Sequence, residues 1–152
     1  MNYTKEGSLQ MYNTRAYQQY STMQAQTADR GELVVMLYQG AIKFLSRAAA
    51  ALQAGNVLDA HNGLVRGQDI IAELMGSLNP EVDEISHNLF RVYEYMHYRL
   101  VEANMHKDPQ PIEEVTQLLR ELLPAWQQAA VEARLQRSQS QMDAGRLSSV
   151  AV

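Results

Sequence analysis

Apolar residues return at helical spacing four times along this chain. Val34, Tyr38, Ala41, Leu45, Ala48 and Leu52 step by 4-3-4-3-4, which keeps them on one side of an α-helix. Asp29 followed by Glu32 resembles a capping box at its start, and Gly55-Asn56 ends it. A second stripe, Ala60, Leu64, Gly67, Ile71, Leu74 and Leu78, stops at Asn79-Pro80, and its small Gly67 permits close helix contact. A third runs from about Asp83 to Asn104 through Ile85, Leu89, Val92, Met96, Leu100 and Ala103, with Asp108-Pro109 marking the next turn. The fourth stripe is Val115, Leu119, Leu122, Trp126 and Ala129. Pro124 falls inside it and removes one helical hydrogen bond; because the stripe keeps its register beyond, the spacing predicts a kink, not a stop.

Four amphipathic helices joined by short turns predict an all-α fold, an antiparallel up-and-down four-helix bundle over residues 27–137. Residues 1–26 carry only a faint stripe of Leu9, Tyr12, Ala16, Tyr20 and Met23, which predicts a weakly structured N-terminal arm. Tyr3, Tyr12, Tyr17 and Tyr20 in that arm offer large contact area at low rotamer entropy and suit a reversible contact. Residues 138–152 lack sustained periodicity and read as a disordered tail.

The third helix is apolar on two faces. Opposite its core stripe, at 100° per residue, fall Phe90, Tyr98, Val101 and Met105, where an isolated bundle should carry charge. A second apolar face needs a second partner: either this helix is central in the fold, or it offers a surface to another protein. Met36 and Ile42 lie outside the tightest stripe of the first helix and form a further candidate contact.

Composition narrows the chemistry. The chain has 152 residues, enough for one domain with a sizeable core, and a formal charge of −4, which argues against a nucleic-acid partner. No uninterrupted apolar run is long enough to span a bilayer, the N-terminus lacks the pattern of a secretory signal, and the absence of cysteine fits a reducing cytoplasm. Glu84/His87 and Glu94/His97 have the Glu-x-x-His spacing of di-iron bundles, but both pairs lie on one helix about 15 Å apart and cannot share a metal centre. No nucleophile motif, phosphate-binding glycine loop or paired carboxylates stand out. The residues therefore predict a binding protein without metal or cofactor.

Several segments in order resemble the flagellin-specific secretion chaperones of bacteria, the FliS family. They are Tyr17-Gln18-Gln19, Met36-Leu37-Tyr38-Gln39-Gly40-Ala41-Ile42, Gln68-Asp69-Ile70-Ile71-Ala72-Glu73-Leu74, Tyr93-Glu94-Tyr95-Met96, Arg99-Leu100-Val101-Glu102-Ala103-Asn104 and Ala125-Trp126. The chain departs from the family pattern at Gln39, at Ala28-Asp29-Arg30 and at Pro124. The resemblance implies a cytoplasmic bundle whose N-terminal arm caps an apolar surface until the C-terminal segment of flagellin displaces it. It also implies delivery of that cargo to the flagellar type III export apparatus, with export-gate components as further partners. On this reading Tyr17, Tyr20, Met36, Ile42, Phe90, Tyr98, Val101 and Met105 are the candidate cargo contacts. An adaptor or chaperone for another secreted protein, or a homo-oligomeric scaffold using the same strip, is the alternative, and a homodimer is compatible with either.

Overall fold

The computed structural model describes residues 30–150 and builds them into four helices. These are α1 (Arg30–Gln53), α2 (Val57–Gly76), α3 (Glu84–His106) and α4 (Pro109–Val150). The arm with Tyr17 and Tyr20, and the cap expected at Asp29, lie outside the described residues.

Local chemistry sets the boundaries. Gly55 takes φ 77°, a left-handed conformation that a side chain would oppose, and lets Asn56 N–H close the end of α1 on Ala51 O at 2.8 Å. Asn56 then caps α2 by accepting from Asp59 N–H, and Asp83 caps α3 by accepting from Ser86 N–H at 2.6 Å. That bond holds the Asp83 carboxyl below its ordinary pKa. Pro109 opens α4, where a missing N–H costs nothing.

Cross-helix contacts establish that successive helices run antiparallel. Glu32 at the start of α1 pairs with Arg134 far along α4 at 3.2 Å. A Cβ on Gly63 would meet Phe44 O and Ala48, and one on Gly67 would meet Leu45 Cδ2 at 2.5 Å, so α2 passes down α1 at glycine distance. His61 of α2 bonds Asn104 of α3, and Arg99 of α3 bonds Glu114 of α4. Each helix thus packs beside its neighbours in a ring, α1 and α3 on one diagonal and α2 and α4 on the other. This is the four-helix, all-α arrangement that the stripes predict.

The core is a single cluster: Leu37, Tyr38, Ala41, Leu45 and Ala48 of α1, Leu64, Ile70, Ile71 and Leu74 of α2, Tyr93, Met96, Leu100 and Ala103 of α3, and Ile112, Val115 and Leu119 of α4. At its centre the Tyr38 and Tyr93 hydroxyls meet across the diagonal at 2.5 Å, with the rings edge to face and Trp126 of α4 tilted against Tyr38. Burial pushes both phenols above their ordinary pKa, so the pair stays neutral.

Three details correct the sequence reading. Ile85, placed in the α3 stripe, is 80% exposed, while the unassigned Tyr93 is buried. Tyr38 faces Tyr93 on parallel helices, so eight residues earlier Ile85 stands level with Arg30, where α1 begins and its cover ends. In α4 the buried position after Trp126 is Ala130, not Ala129. The tail read as disordered over 138–152 is helical as far as Val150, although every residue from 134 to 150 is exposed. No proline interrupts that stretch, and an i,i+4 bond between Gln139 and Asp143 supports it. As expected, Pro124 does not stop α4.

Among the described residues α1 has the length and mean hydropathy of a membrane span, at 1.2 over 18 residues. That value belongs to a core helix: one face lies in the cluster above, and Lys43 and Arg47 stand exposed on the other.

Ile71 and Leu119 are both fully buried, so Ile71→Ala and Leu119→Ala each lower the unfolding free energy by about 2–5 kcal/mol in denaturant titration. Near-neutral effects at both would show that the core is drawn on the wrong faces. A second expectation concerns pH. Glu114 accepts from Tyr95 O–H and from Arg99, and these bonds, Tyr95 first, hold its pKa below the ordinary value. A depressed carboxyl contributes stability above its unfolded pKa, about 4.3, and loses it as pH falls through the lower folded value. The melting-temperature difference between wild type and Glu114→Gln is therefore largest above about pH 5 and closes under acid. A difference constant down to pH 2 would contradict the assignment.

Candidate functional site

The second face of α3 is a surface, not a core. Tyr98 is 61% exposed and Met105 71% exposed, while Phe90 and Val101 are half-buried. Met96, Leu100 and Ala103 occupy the opposite side of the same helix and are buried. The helix can present both because its neighbours in the ring are α2 and α4 and it meets α1 only across the core, leaving its outer arc uncovered among the described residues.

Around this strip the structure adds features that periodicity does not reveal. Phe90 lines an open hollow with Pro80, Glu81, His87, Arg91 and Glu94, below the α2–α3 turn. Val82 and Ile85 are exposed beside that turn. On the flank facing α4, Arg99 bridges Glu102 at 3.1 Å and Glu114 at 3.0 Å, and Tyr95 donates to Glu114. Tyr98 is hydrogen-bonded to Glu102, which raises its phenol pKa. These bonds hold two exposed tyrosine rings in fixed orientation at the edge of the strip. Sequence reasoning missed Tyr95, whose only signal is its i,i+4 relation to Arg99.

The remaining candidates are not gathered with this strip. Met36 and Ile42 are half-buried on α1, diagonally across the bundle, and Ile42 packs against the core cluster. Outer faces of diagonal helices point away from each other, so one ligand reaches both only by passing around the bundle. At the far end, His61 Nδ1 lies 3.0 Å from Asn104 Nδ2, and Lys107 donates to Asn104 Oδ1 at 2.7 Å, tying the α3 C-terminus to α2.

Nothing in this surface resembles a reaction centre. It is a partly apolar, tyrosine-edged helix face with charges paired along its border, which suits adhesion to an extended or helical segment.

Comparison with known proteins agrees with this geometry. The family profile described as "Flagellar protein FliS" matches residues 11–133. The flagellar secretion chaperone FliS of Bacillus subtilis strain 168 is 38% identical over 122 residues, covering 80% of this chain and 89% of the relative. Its namesake in Salmonella typhimurium strain LT2 is 38% identical over 127 residues, covering 82% of this chain and 94% of the relative. That of Vibrio cholerae serotype O1 is 34% identical over 127 residues, 83% and 90% of the two chains. With a profile match over most of its length and relatives at this identity over about four fifths of it, the chain belongs to the FliS family of flagellar secretion chaperones.

Proposed function

We propose that this protein is a cytoplasmic chaperone that holds the C-terminal segment of flagellin, keeps it from polymerising prematurely and delivers it to the flagellar type III export apparatus, where export-gate components receive it. The observation that carries the reading is the apolar arc of α3 that no described helix covers, with Phe90, Tyr98, Val101 and Met105 outward and a complete core behind them. The activity is binding, with no catalytic step, metal or cofactor.

The physics of such a task explains the surface. A disordered client loses backbone entropy when it orders on its chaperone, so the chaperone must offer extended apolar area, and the net affinity stays low enough for release. Methionine and half-buried aliphatic residues tolerate varied packing, and anchored tyrosines supply area without losing much rotamer freedom. Because Met36 and Ile42 lie on the opposite diagonal, they contribute only if the client wraps around the bundle. In this reading Tyr17 and Tyr20 belong to an N-terminal cap that competes for the same surface.

Two experiments test this. Met105→Glu and Val101→Glu place a carboxylate in the strip, and burying it against an apolar client costs several kcal/mol, a loss of about a hundredfold or more in flagellin affinity by calorimetry. Met105 is exposed in the free protein, so its variant folds normally, as checked by circular dichroism. If both variants fold and bind flagellin as the wild type does, the strip is not the cargo surface. Deleting residues 1–24 tests the cap: removing a competitor raises affinity in inverse proportion to the fraction of molecules that were open. A fall in affinity would make Tyr17 and Tyr20 direct contacts, and no change would exclude the arm from binding.

A further inference from the structure

The family match ends at residue 133, but α4 continues to Val150. Residues 134–150 are all exposed, and they include Ser138, Ser140, Gly145, Ser148 and Ser149, which are poor helix formers. Its first turn is tied to α1 by the Arg134–Glu32 ion pair, but none of its residues joins the core cluster, and an exposed helical stretch of that length and composition is marginal in water. Its apolar residues are nevertheless ordered. Val131, Leu135, Ser138, Met142, Gly145 and Ser149 repeat at 4-3-4-3-4, the seam of a two-helix coil, with Leu135 65% and Met142 58% exposed. This seam lies roughly 130° around the axis from the face that Trp126 and Ala130 turn to the core, so the bundle leaves it free.

We propose that residues 131–149 of α4 pair antiparallel with the same segment of a second copy of this chain, about a two-fold axis near Ser140. The choice of partner follows from self-complementarity. In this register Leu135 faces Gly145 of the second copy, Met142 faces Ser138, and Val131 faces Ser149, so each large side chain meets a small one. Flanking the seam, Glu132 comes beside Arg146 of the second copy, and symmetry repeats the pair. The central flanking residue is the uncharged Gln139, which meets its own copy without repulsion. A parallel pairing would stack Gly145 on Gly145 and give Glu132 no opposite charge. Antiparallel pairing also sends the two bundles to opposite ends of the shared coil, where they do not collide and the α3 strips stay open. Three large apolar side chains per copy fall short of the roughly 800 Å² per partner of a standard stable interface, so the association is reversible and concentration-dependent.

Sedimentation velocity of the full-length protein over about a hundredfold range of concentration tests the proposal. A monomer–dimer equilibrium is expected, and Leu135→Glu or Met142→Glu weakens it more than tenfold, with the bundle's thermal melting unchanged because both side chains are exposed. Leu147→Glu, roughly 160° off the seam, leaves the equilibrium as in wild type. The decisive arm is charge reversal: Glu132→Arg and Arg146→Glu each weaken the dimer a few-fold, and the double variant recovers it. A wild type that stays monomeric throughout, or a double reversal without recovery, overturns the proposal.

Discussion

Two phenol hydroxyls in the middle of the bundle hold the register of the whole fold. Tyr38 and Tyr93 come from diagonal helices that otherwise do not pack together, and their oxygens are close enough for only one arrangement of α1 against α3. Trp126 fixes α4 to the same point through its contact with Tyr38. A buried hydroxyl that lost its partner would retain the full cost of desolvation, so sliding any of these helices by one turn is penalised beyond the loss of packing. The remaining register, α2 against α1, is set by close approach: a Cβ at Gly63 would stand 3.0 Å from Phe44 O and one at Gly67 2.5 Å from Leu45 Cδ2, so a side chain at either place requires α1 to give way. One polar contact and one close approach therefore position all four elements.

With the interior complete, the outer face of α3 is released from a structural role. Its core stripe is satisfied inside the bundle, and no other helix covers its strip among the described residues. The polar border matters as much as the apolar centre, because Arg99 neutralises two carboxylates and restrains the tyrosines beside them. Exposed ion pairs of this kind add little stability. Their effect is to keep an apolar surface soluble while presenting it in a defined shape.

Most of the fold was legible in the sequence because a helix that buries one face writes that face every three or four residues. Tyr38, Leu45, Leu64, Ile71, Met96, Leu100, Val115 and Leu119 were all readable in this way, and each is buried. Ile85 and Ala129 misled because periodicity reports the direction of a side chain and not whether another helix reaches that level of the bundle. Tyr93 was passed over because a stripe drawn through Val92 and Met96 runs beside it, and only the hydroxyl partner on a distant helix reveals that it belongs inside. The outer strip was visible as an anomaly of apolar residues, whereas its anchoring by Tyr95 and Glu114 depends on two helices meeting and has no local signature. The length of α4 was missed for a related reason: a polar helix without a buried face leaves no stripe to read toward the bundle.

The placement of Trp126 carries a practical consequence. It is the only tryptophan in the chain, half-buried, and in ring contact with a tyrosine whose hydroxyl ends in the centre of the core. Excitation energy absorbed by Tyr38 and Tyr93 thus has a single nearby acceptor, and the colour of its emission follows how dry that point of the bundle is. Trp126 also stands two residues beyond Pro124, where α4 lacks a backbone hydrogen bond. Any bending of α4 at that weak point would alter the indole's surroundings first, so the protein carries its own unlabelled optical gauge of whether the end of the bundle is closed.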